Sequence, residues 1–383
     1  MTLNESGTAS KRYVYRPELD VLRFFAFSAV FLFHTVDYPL DFYLLHHVPR
    51  NLAEVSRAAI GGGKYGVDLF FALSSYLITD LLVREKEQLG SLDVRSFYMR
   101  RILRIWPLYY FILLITLFIP FFDPDRQFGH KYLLPFIFLS GNWAFAAFGG
   151  PASVPASPLW SVSIEEQFYL FWPPVVARLS RQKTVYAALG MIIVANVTRV
   201  MPLVSPAFGM ALWFNTFAHL DSIAIGILLA MMLRGRTPLV RPGARFALLI
   251  CGAACFTLRG YFQNVMDDSN SWTNVLLAWP IVAVACALIL FAFIGLKVPE
   301  PWLPYLGKIS YGLYAYHMFC VLLVDRLLAI QHRLQEHSLP RAVLRVCLSL
   351  GLTIVVAAVS YAILEKPFLR LKERFTRVRS RPV

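Results

Sequence analysis

The chain has 383 residues, of which 57% are hydrophobic and only 16% are charged. A soluble globular domain carries about 25% charged residues, so this composition excludes a soluble fold and favours a polytopic membrane protein. The formal net charge is +14, but the basic residues lie between and after apolar segments, as they do when they orient a membrane protein. We therefore expect membrane lipids as partners and no nucleic acid. All five cysteines lie inside apolar segments, which predicts neither a disulfide framework nor a metal site.

Eleven apolar segments are candidates for crossing a membrane, which takes about 20 mostly apolar residues. In chain order they are 20–38, 66–83, 105–122, 132–148, 158–177, 185–200, 212–233, 246–258, 275–296, 309–330 and 342–364. If all eleven crossed, several basic loops would lie outside, against the preference of Lys and Arg for the cytoplasmic side. The sequence therefore predicts an all-α fold with about ten transmembrane helices and one re-entrant or partial segment.

We assign the partial segment to 132–148, because Gly, Pro and polar residues interrupt it and follow it. With ten crossings, both termini and most basic loops lie in the cytoplasm. We expect a multi-pass protein of the plasma membrane, which is the inner membrane in a bacterium. The chain divides into a cytoplasmic N-terminal segment 1–19, a membrane domain 20–366 and a basic cytoplasmic tail 367–383.

The first apolar segment contains Arg23 and His34. Eleven residues make about three helical turns, so both side chains point the same way about 16 Å apart. Ionisable groups in a membrane helix are costly and usually face a protein interior or a water-filled path. The pair therefore indicates one wall of a polar channel. An interfacial arginine and a structural core histidine explain the same two residues equally well.

A second basic pattern is the R-x-x-R of Arg101 and Arg104, at the start of the third apolar segment. Residues three apart share one face of a helix, and two guanidinium groups on one face suit a phosphate or pyrophosphate. The alternative is a cluster that only keeps the preceding loop on the cytoplasmic side.

Several acidic residues lie in or beside apolar segments. Asp68 and Glu365 fall near helix ends, where interfacial solvation can suffice, whereas Glu165, Glu166 and Asp221 lie deeper. A carboxylate in hydrocarbon is costly unless it is paired or neutralised. For each of the deeper residues, a structural ion pair is as good an explanation as catalysis.

Eight motifs together resemble a known family, although none is specific alone. They are ELDVLRFFAFSAVFLFH, GVDLFFALSSYLIT, FYMRRILRIWPLYY, GNW, PLWSVSIEEQFYLFWP, HLDSIAIG, GKISYGLYAYH and LEKP. Their order and spacing over about residues 15–370 resemble the membrane-bound acyltransferase family 3, which includes O-antigen, exopolysaccharide and macrolide O-acyltransferases. The resemblance implies transfer of an acyl group, which we expect to be acetyl, from cytoplasmic acyl-CoA to a hydroxyl of a carbohydrate or lipid-linked sugar.

The resemblance also assigns roles, because the arginine and histidine of the first helix and the R-x-x-R are functional in the family. We expect Arg23, Arg101 and Arg104 to bind the phosphates of the donor, with Lys308 as a further donor-binding residue. The predicted acceptor-binding or pore-lining residues are Asn142, Trp160, Tyr169, Asp221, Tyr311 and His317. No metal cofactor is expected.

His34 is the predicted catalytic residue, as general base or as a nucleophile that carries the acyl group transiently. Glu165 is expected to orient or charge-balance the imidazole, with Asp68 as the second candidate. The sequence departs from the family where Leu-Ser-Gly of the second helix reads Leu-Ser-Ser, with Ser75 in place of glycine. We expect this serine to allow close packing but to narrow a tunnel.

Two other function classes fit part of the pattern. A transporter or flippase would also place charged residues inside the membrane, but the sequence shows no internal repeat, which transporters often contain. A non-catalytic membrane scaffold has no use for so many buried ionisable groups.

Overall fold

The computed structural model describes residues 15–121, 128–150, 154–204, 212–264, 272–330 and 338–376, and all regular elements within these ranges are helical. The α-helices are α1 Pro17–Val36, α2 Leu40–Leu45, α3 Arg50–Gly62, α4 Gly66–Leu89, α5 Val94–Phe118, α6 His130–Ile137, α7 Gly141–Phe148, α8 Leu159–Arg178, α9 Arg181–Val204, α10 Leu220–Leu233, α11 Pro242–Asn264, α12 Trp279–Phe293, α13 Trp302–Lys308, α14 Ser310–Ile330, α15 Leu339–Ser360 and α16 Lys366–Lys372. Short 3₁₀ or π turns connect or extend several of them, at Gly63–Tyr65, Ile119–Phe121, Leu212–Phe214, Thr216–His219, Asn274–Ala278, Tyr361–Glu365 and Glu373–Phe375.

Nine helical stretches in the described part of the chain are long and apolar enough to cross a membrane. This confirms the predicted all-α polytopic fold. Helix α8 is not among the nine, because Glu165, Glu166 and Gln167 reduce its apolar character. Its 20 residues are nevertheless about 30 Å long, enough to cross the hydrocarbon core. The tenth crossing and the cytoplasmic location of both termini therefore stay predictions.

The segment 132–148 forms two short helices, α6 and α7, rather than one span. Eight residues of helix are only about 12 Å long, so neither helix can cross the membrane alone. Tyr109 and Tyr110 of α5 donate hydrogen bonds from their hydroxyls to the carbonyl oxygens of Phe136 and Ile137, at 2.8 and 3.0 Å. The break between the helices is therefore stabilised by protein, which is the condition under which irregular backbone is tolerated at membrane depth.

Two helices, α4 and α13, each place a glycine directly against the backbone of α1. A Cβ atom at Gly66 of α4 would overlap the carbonyl oxygen of Ala26, and one at Gly307 of α13 would overlap the backbone of Asp20. Only glycine allows such close approach of two backbones. These contacts fix the position of α1, which carries Arg23 and His34.

Helix α4 packs along α10, and Ser75 lies at their contact. Its hydroxyl donates to the carbonyl oxygens of Ala72 and Ile223, at 3.0 and 2.8 Å, and the side chain is fully buried. A Cβ at Gly226 of α10 would overlap this hydroxyl. Ser75 therefore faces a helix contact, and the expectation that it narrows a tunnel is wrong. The neighbouring Ser74 is the one that faces a cavity.

Candidate active site

Five helices, α1, α4, α5, α8 and α14, surround a cavity of about 90 Å³. We call it the arginine cavity. Its polar lining residues are Arg23, Ser74, Arg101, Arg104, Ser161, Glu165, Tyr169, Ser310, Tyr311 and Tyr314. The structure thus brings the predicted donor-binding arginines together, although Arg23 lies 78 residues before Arg101 in the sequence.

The arginine cavity contains more positive than negative charge. Arg23 forms an ion pair with Asp20, one turn earlier on α1. The Arg101 guanidinium stacks 5.4 Å from the ring centre of Tyr169, and its Nε is buried without a hydrogen-bond partner among the residues that the structure describes. Arg104 forms no hydrogen bond or ion pair with any residue in the described ranges. Since Glu165 is the one carboxylate among the described lining residues, the cavity is suited to an anionic ligand.

Glu165 is held by its own helix. The Tyr169 hydroxyl donates to Glu165 Oε2 at 2.9 Å, and the Ser74 hydroxyl is in hydrogen-bond contact with Tyr169. The adjacent Glu166 turns away and accepts a hydrogen bond from Trp106 Nε1 at 3.0 Å. Of the two neighbouring acids, Glu165 is therefore the one that lines the cavity, and its hydrogen bond goes to Tyr169 rather than to His34.

His34 lies near the end of α1 and contacts a second histidine. Its Nδ1 is 3.0 Å from the carbonyl oxygen of Val30 and 3.3 Å from Nε2 of His317. Nδ1 of His317 is 2.6 Å from the carbonyl oxygen of Tyr314. The His34 side chain is exposed, whereas His317 is fully buried behind it. His317 was predicted as an acceptor-binding or pore-lining residue, but the structure makes it the neighbour of the predicted base.

His34 lines a second cavity of about 700 Å³, which we call the histidine cavity. Its charged and aromatic lining residues are His34, Asp37, Tyr38, Asp41, Phe42, Asp325, Arg341 and Arg345. Arg345 is bound by both oxygens of Asp325, at 2.6 and 3.0 Å, and donates to the carbonyl oxygen of Thr35 at 2.8 Å. The exposed imidazole therefore faces a polar space.

A chain of contacts connects the two cavities. Tyr314 lines the arginine cavity, its carbonyl oxygen bonds to His317, and His317 contacts His34, which lines the histidine cavity. Since about 16 Å separates Arg23 from His34 along α1, a long, thin molecule could reach from one to the other.

Of the remaining predicted donor-binding and acceptor-binding residues, two tyrosines line the arginine cavity and Lys308 lies outside it. Tyr169 and Tyr311 line it, and Tyr311 donates to the carbonyl oxygen of Ile105 at 3.0 Å. Lys308 ends α13 close by, with its ammonium nitrogen 5.4 Å from the ring centre of Tyr361. It is not among the described residues that line the cavity.

Asn142 and Trp160 are packing residues in this structure. Asn142 is fully buried, and its side-chain nitrogen donates to Thr216 Oγ1 at 2.9 Å, while its oxygen accepts from Gln167 at the same distance. The Trp160 ring packs 5.5 Å from that of Trp213. Neither lines the arginine or the histidine cavity as described.

Asp68 and Asp221 belong to a separate buried group, which we call the ion-pair cluster: Asp68, Arg199, His219 and Asp221. Arg199 donates to both oxygens of Asp221 at 2.7 Å. Asp68 Oδ1 lies 2.8 Å from His219 Nδ1, and His219 Nε2 lies 2.9 Å from the carbonyl oxygen of Trp213. In this structure Asp68 contacts His219 rather than His34, and Asp221 pairs with Arg199 and lines neither of the two cavities as described.

Sequence reasoning missed three residues that matter here: His219, Asp20 and Tyr314. The spacing of Asp20 and Arg23 is a recognisable i, i+3 ion pair. His219 stands within the HLDSIAIG motif, but its partner Asp68 is 151 residues away, and no local pattern predicts that pairing.

Among the described residues, no group of three or more His, Cys, Asp or Glu could hold a metal ion.

Comparison with known proteins gives a family and several relatives. Residues 16–365 match the acyltransferase domain of family 3. The chain is 26% identical to the peptidoglycan O-acetyltransferase OatA of Listeria monocytogenes, over 94% of this chain and 56% of that protein. It is 25% identical to a protein provisionally named as an O-acetyltransferase in Staphylococcus aureus, over 96% of this chain and 59% of that protein.

The chain thus spans less than two thirds of the length of these relatives. No solved structure gives a significant match. Since the family match extends over nearly the whole sequence, the predicted resemblance is confirmed, and this chain belongs to the acyltransferase family 3.

Proposed function

We propose that this protein is a membrane O-acetyltransferase that moves an acetyl group from acetyl-CoA to a hydroxyl of a carbohydrate. The observation that carries the proposal is the arginine cavity, in which neither Arg101 nor Arg104 forms an ion pair with a carboxylate of the described residues, although charged groups inside proteins are normally paired. Family membership and the names of the relatives support an acyl transfer reaction. Carbohydrate as the acceptor class is consistent with relatives named for peptidoglycan.

The donor is expected to bind with its phosphates at Arg101 and Arg104, which offer the bidentate geometry that phosphates favour. The cavity of about 90 Å³ is small beside the roughly 300–1,000 Å³ of a typical ligand pocket. It can therefore hold one part of an elongated donor but not the whole molecule. We propose that the pantetheine arm extends along α1 from Arg23 towards His34.

In the reaction, Nε2 of His34 takes the proton from the acceptor hydroxyl as that oxygen attacks the thioester carbonyl carbon. A carbon–oxygen bond forms, the carbon–sulfur bond breaks, and the proton leaves Nε2 for the departing thiolate. The products are the O-acetyl ester and free CoA, and the imidazole returns to its neutral form.

The acceptor is expected to enter through the histidine cavity, because this is where the His34 ring is exposed. The carboxylates of Asp37 and Asp41 and the hydroxyl of Tyr38 line that cavity, and such groups form hydrogen bonds with sugar hydroxyls. We propose that the arginine cavity lies towards the cytoplasm and the histidine cavity towards the opposite side of the membrane.

The test is acyl transfer by a His34→Gln variant, in purified protein with labelled acetyl-CoA and a panel of glycans. General base catalysis contributes about 10²- to 10⁴-fold, so residual activity should be below about 1%, while CoA binding and folding are retained. His46→Gln is the matched control, because His46 also bonds the carbonyl oxygen four residues earlier, at 2.7 Å. A folded His34→Gln variant that transfers acetyl groups at the wild-type rate would contradict the proposal.

A further inference from the structure

We propose that His317 is a positioning residue that acts together with the carbonyl oxygen of Val30 to hold the hydrogen of His34 on Nδ1, so that Nε2 is the free base facing the histidine cavity. This inference rests on the proposed function, in which His34 is the base. It assigns to the buried histidine a role distinct from the acceptor contact expected from its sequence motif.

The hydrogen on His317 is placed by its neighbour. Nδ1 of His317 lies 2.6 Å from the carbonyl oxygen of Tyr314, and a carbonyl oxygen can only accept a hydrogen bond. Nδ1 must therefore donate. In a neutral imidazole the other nitrogen then has no hydrogen, so Nε2 of His317 presents a lone pair towards His34.

The hydrogen on His34 follows from the same reasoning. Its Nδ1 faces two acceptors, the carbonyl oxygen of Val30 at 3.0 Å and Nε2 of His317 at 3.3 Å. A nitrogen between two acceptors is stable only if it donates to them. Nδ1 of His34 therefore carries the hydrogen, and Nε2 is left unprotonated.

The inference requires His317 to stay neutral, and its surroundings favour this. The ring is fully buried and lies between Phe27, Tyr314 and His34, at ring-centre distances of 6.2, 5.6 and 5.0 Å. Among the described residues, no carboxylate forms a hydrogen bond with it. A charged imidazolium without a counter-ion is costly in such a place, so His317 acts as a neutral acceptor.

The arrangement also assists the chemical step. When Nε2 of His34 takes the acceptor proton, the ring becomes a cation that donates from both nitrogens. Nδ1 then keeps its hydrogen bond to the lone pair of His317, which stabilises the cation without adding a negative charge. The base is thus oriented by a second group, the logic by which a catalytic histidine is held in one tautomer.

The kinetic test compares His317→Gln with His317→Leu. A glutamine oxygen can accept the hydrogen bond from His34, whereas leucine fills the site without an acceptor. We expect His317→Leu to lower kcat at least tenfold with the KM for acetyl-CoA changed less than threefold, because the donor is bound at the arginines. His317→Gln should recover at least a third of the wild-type kcat. Equal losses in both variants, in proportion to the amount of folded protein, would overturn the inference.

A spectroscopic test reads the tautomer directly. Histidine labelled with ¹⁵N at both ring nitrogens distinguishes a nitrogen that carries hydrogen from one that does not, and the His34→Gln spectrum identifies the His34 signals by difference. Wild-type protein should show hydrogen on Nδ1 alone. Folded His317→Leu keeps only the Val30 carbonyl as an acceptor for Nδ1, so a measurable fraction of His34 should carry its hydrogen on Nε2. Hydrogen on Nε2 of His34 in the wild type would overturn the inference.

The two proposals fail in different ways. If His34→Gln retains activity, His34 is not the base and the proposed function loses its catalytic residue. If His34→Gln is inactive but folded His317→Leu retains its kcat and a single His34 tautomer, only the role of His317 is lost.

Discussion

The arginine cavity and the ion-pair cluster are both polar groups inside an apolar helical protein, but they satisfy their charges in different ways. In the cluster, Arg199 and Asp221 form two hydrogen bonds of 2.7 Å, and Asp68 accepts from His219 and Ser222. In the cavity, neither Arg101 nor Arg104 forms an ion pair or a hydrogen bond with any residue that the structure describes. Charge inside the membrane domain therefore does not by itself identify a site. What distinguishes the arginine cavity is that two of its three arginines have no ion pair among the described residues.

The physical reason is the cost of burying charge. A buried ion is tolerated when an opposite charge and hydrogen bonds compensate for lost hydration. Cations left without such partners must be compensated by something else, and in the proposed function a phosphate-bearing donor would provide that charge. Residues of the cluster should therefore be needed for folding, and arginines of the cavity for binding.

The largest loss of stability is expected from Asp221→Ala, which would break the ion pair and leave the buried Arg199 without its carboxylate partner. Removing one member of a buried pair costs about 3–5 kcal/mol, so we expect a sharply lower melting temperature or little folded protein. Thermal unfolding in detergent, followed by intrinsic fluorescence, measures this.

Arg104→Ala is the matched comparison for that experiment. It removes a half-buried cation without leaving a carboxylate unpaired, and we expect its melting temperature to stay close to that of the wild type. The distinction between a cluster needed for folding and a cavity needed for binding would fail in two cases. One is an Asp221→Ala variant that melts at the wild-type temperature, and the other is an Arg104→Ala variant whose melting temperature falls as much as that of Asp221→Ala.

A smaller loss of stability is expected from Gly307→Ala. This substitution alters the packing of α13 against α1 and changes no charge. The new Cβ would overlap the backbone of Asp20, whose side chain pairs with Arg23. Overpacking costs about 1–3 kcal/mol, so both stability and donor affinity should fall. Gly190→Ala is the control, because a Cβ there meets no atom within 4 Å. Identical melting temperatures for the two variants would argue against the close contact at α13.

The smallest effect is expected from Ser75→Gly, which restores the family residue. It removes a hydrogen bond to the carbonyl oxygen of Ile223, worth about 0.5–1.5 kcal/mol, and should leave the dissociation constant of CoA unchanged. Ser74→Ala, one residue earlier, removes a cavity contact to Tyr169 and should weaken donor binding. A change in CoA affinity in Ser75→Gly would indicate that this serine does reach the ligand.

The sequence was sufficient to predict the helical membrane fold, the interruption in 132–148 and the face shared by Arg101 and Arg104, because each depends on local periodicity or composition. It could not predict which charges pair across helices. Asp68 and His219 are 151 residues apart, and His34 and His317 are 283 apart. Such contacts are determined by helix packing, and this is why no local pattern predicts that Glu165 bonds Tyr169 and Asp68 bonds His219 in the structure.

The most direct test of the account is the dissociation constant of CoA for the double variant Arg101→Ala, Arg104→Ala, measured by calorimetry on protein whose folding is verified by its melting temperature. A charged hydrogen bond contributes about 1.5–3 kcal/mol, and 1.4 kcal/mol corresponds to about tenfold in affinity. We therefore predict that the dissociation constant rises at least tenfold while the melting temperature is maintained. An unchanged dissociation constant in the folded double variant would contradict the claim that the unpaired arginines bind the donor.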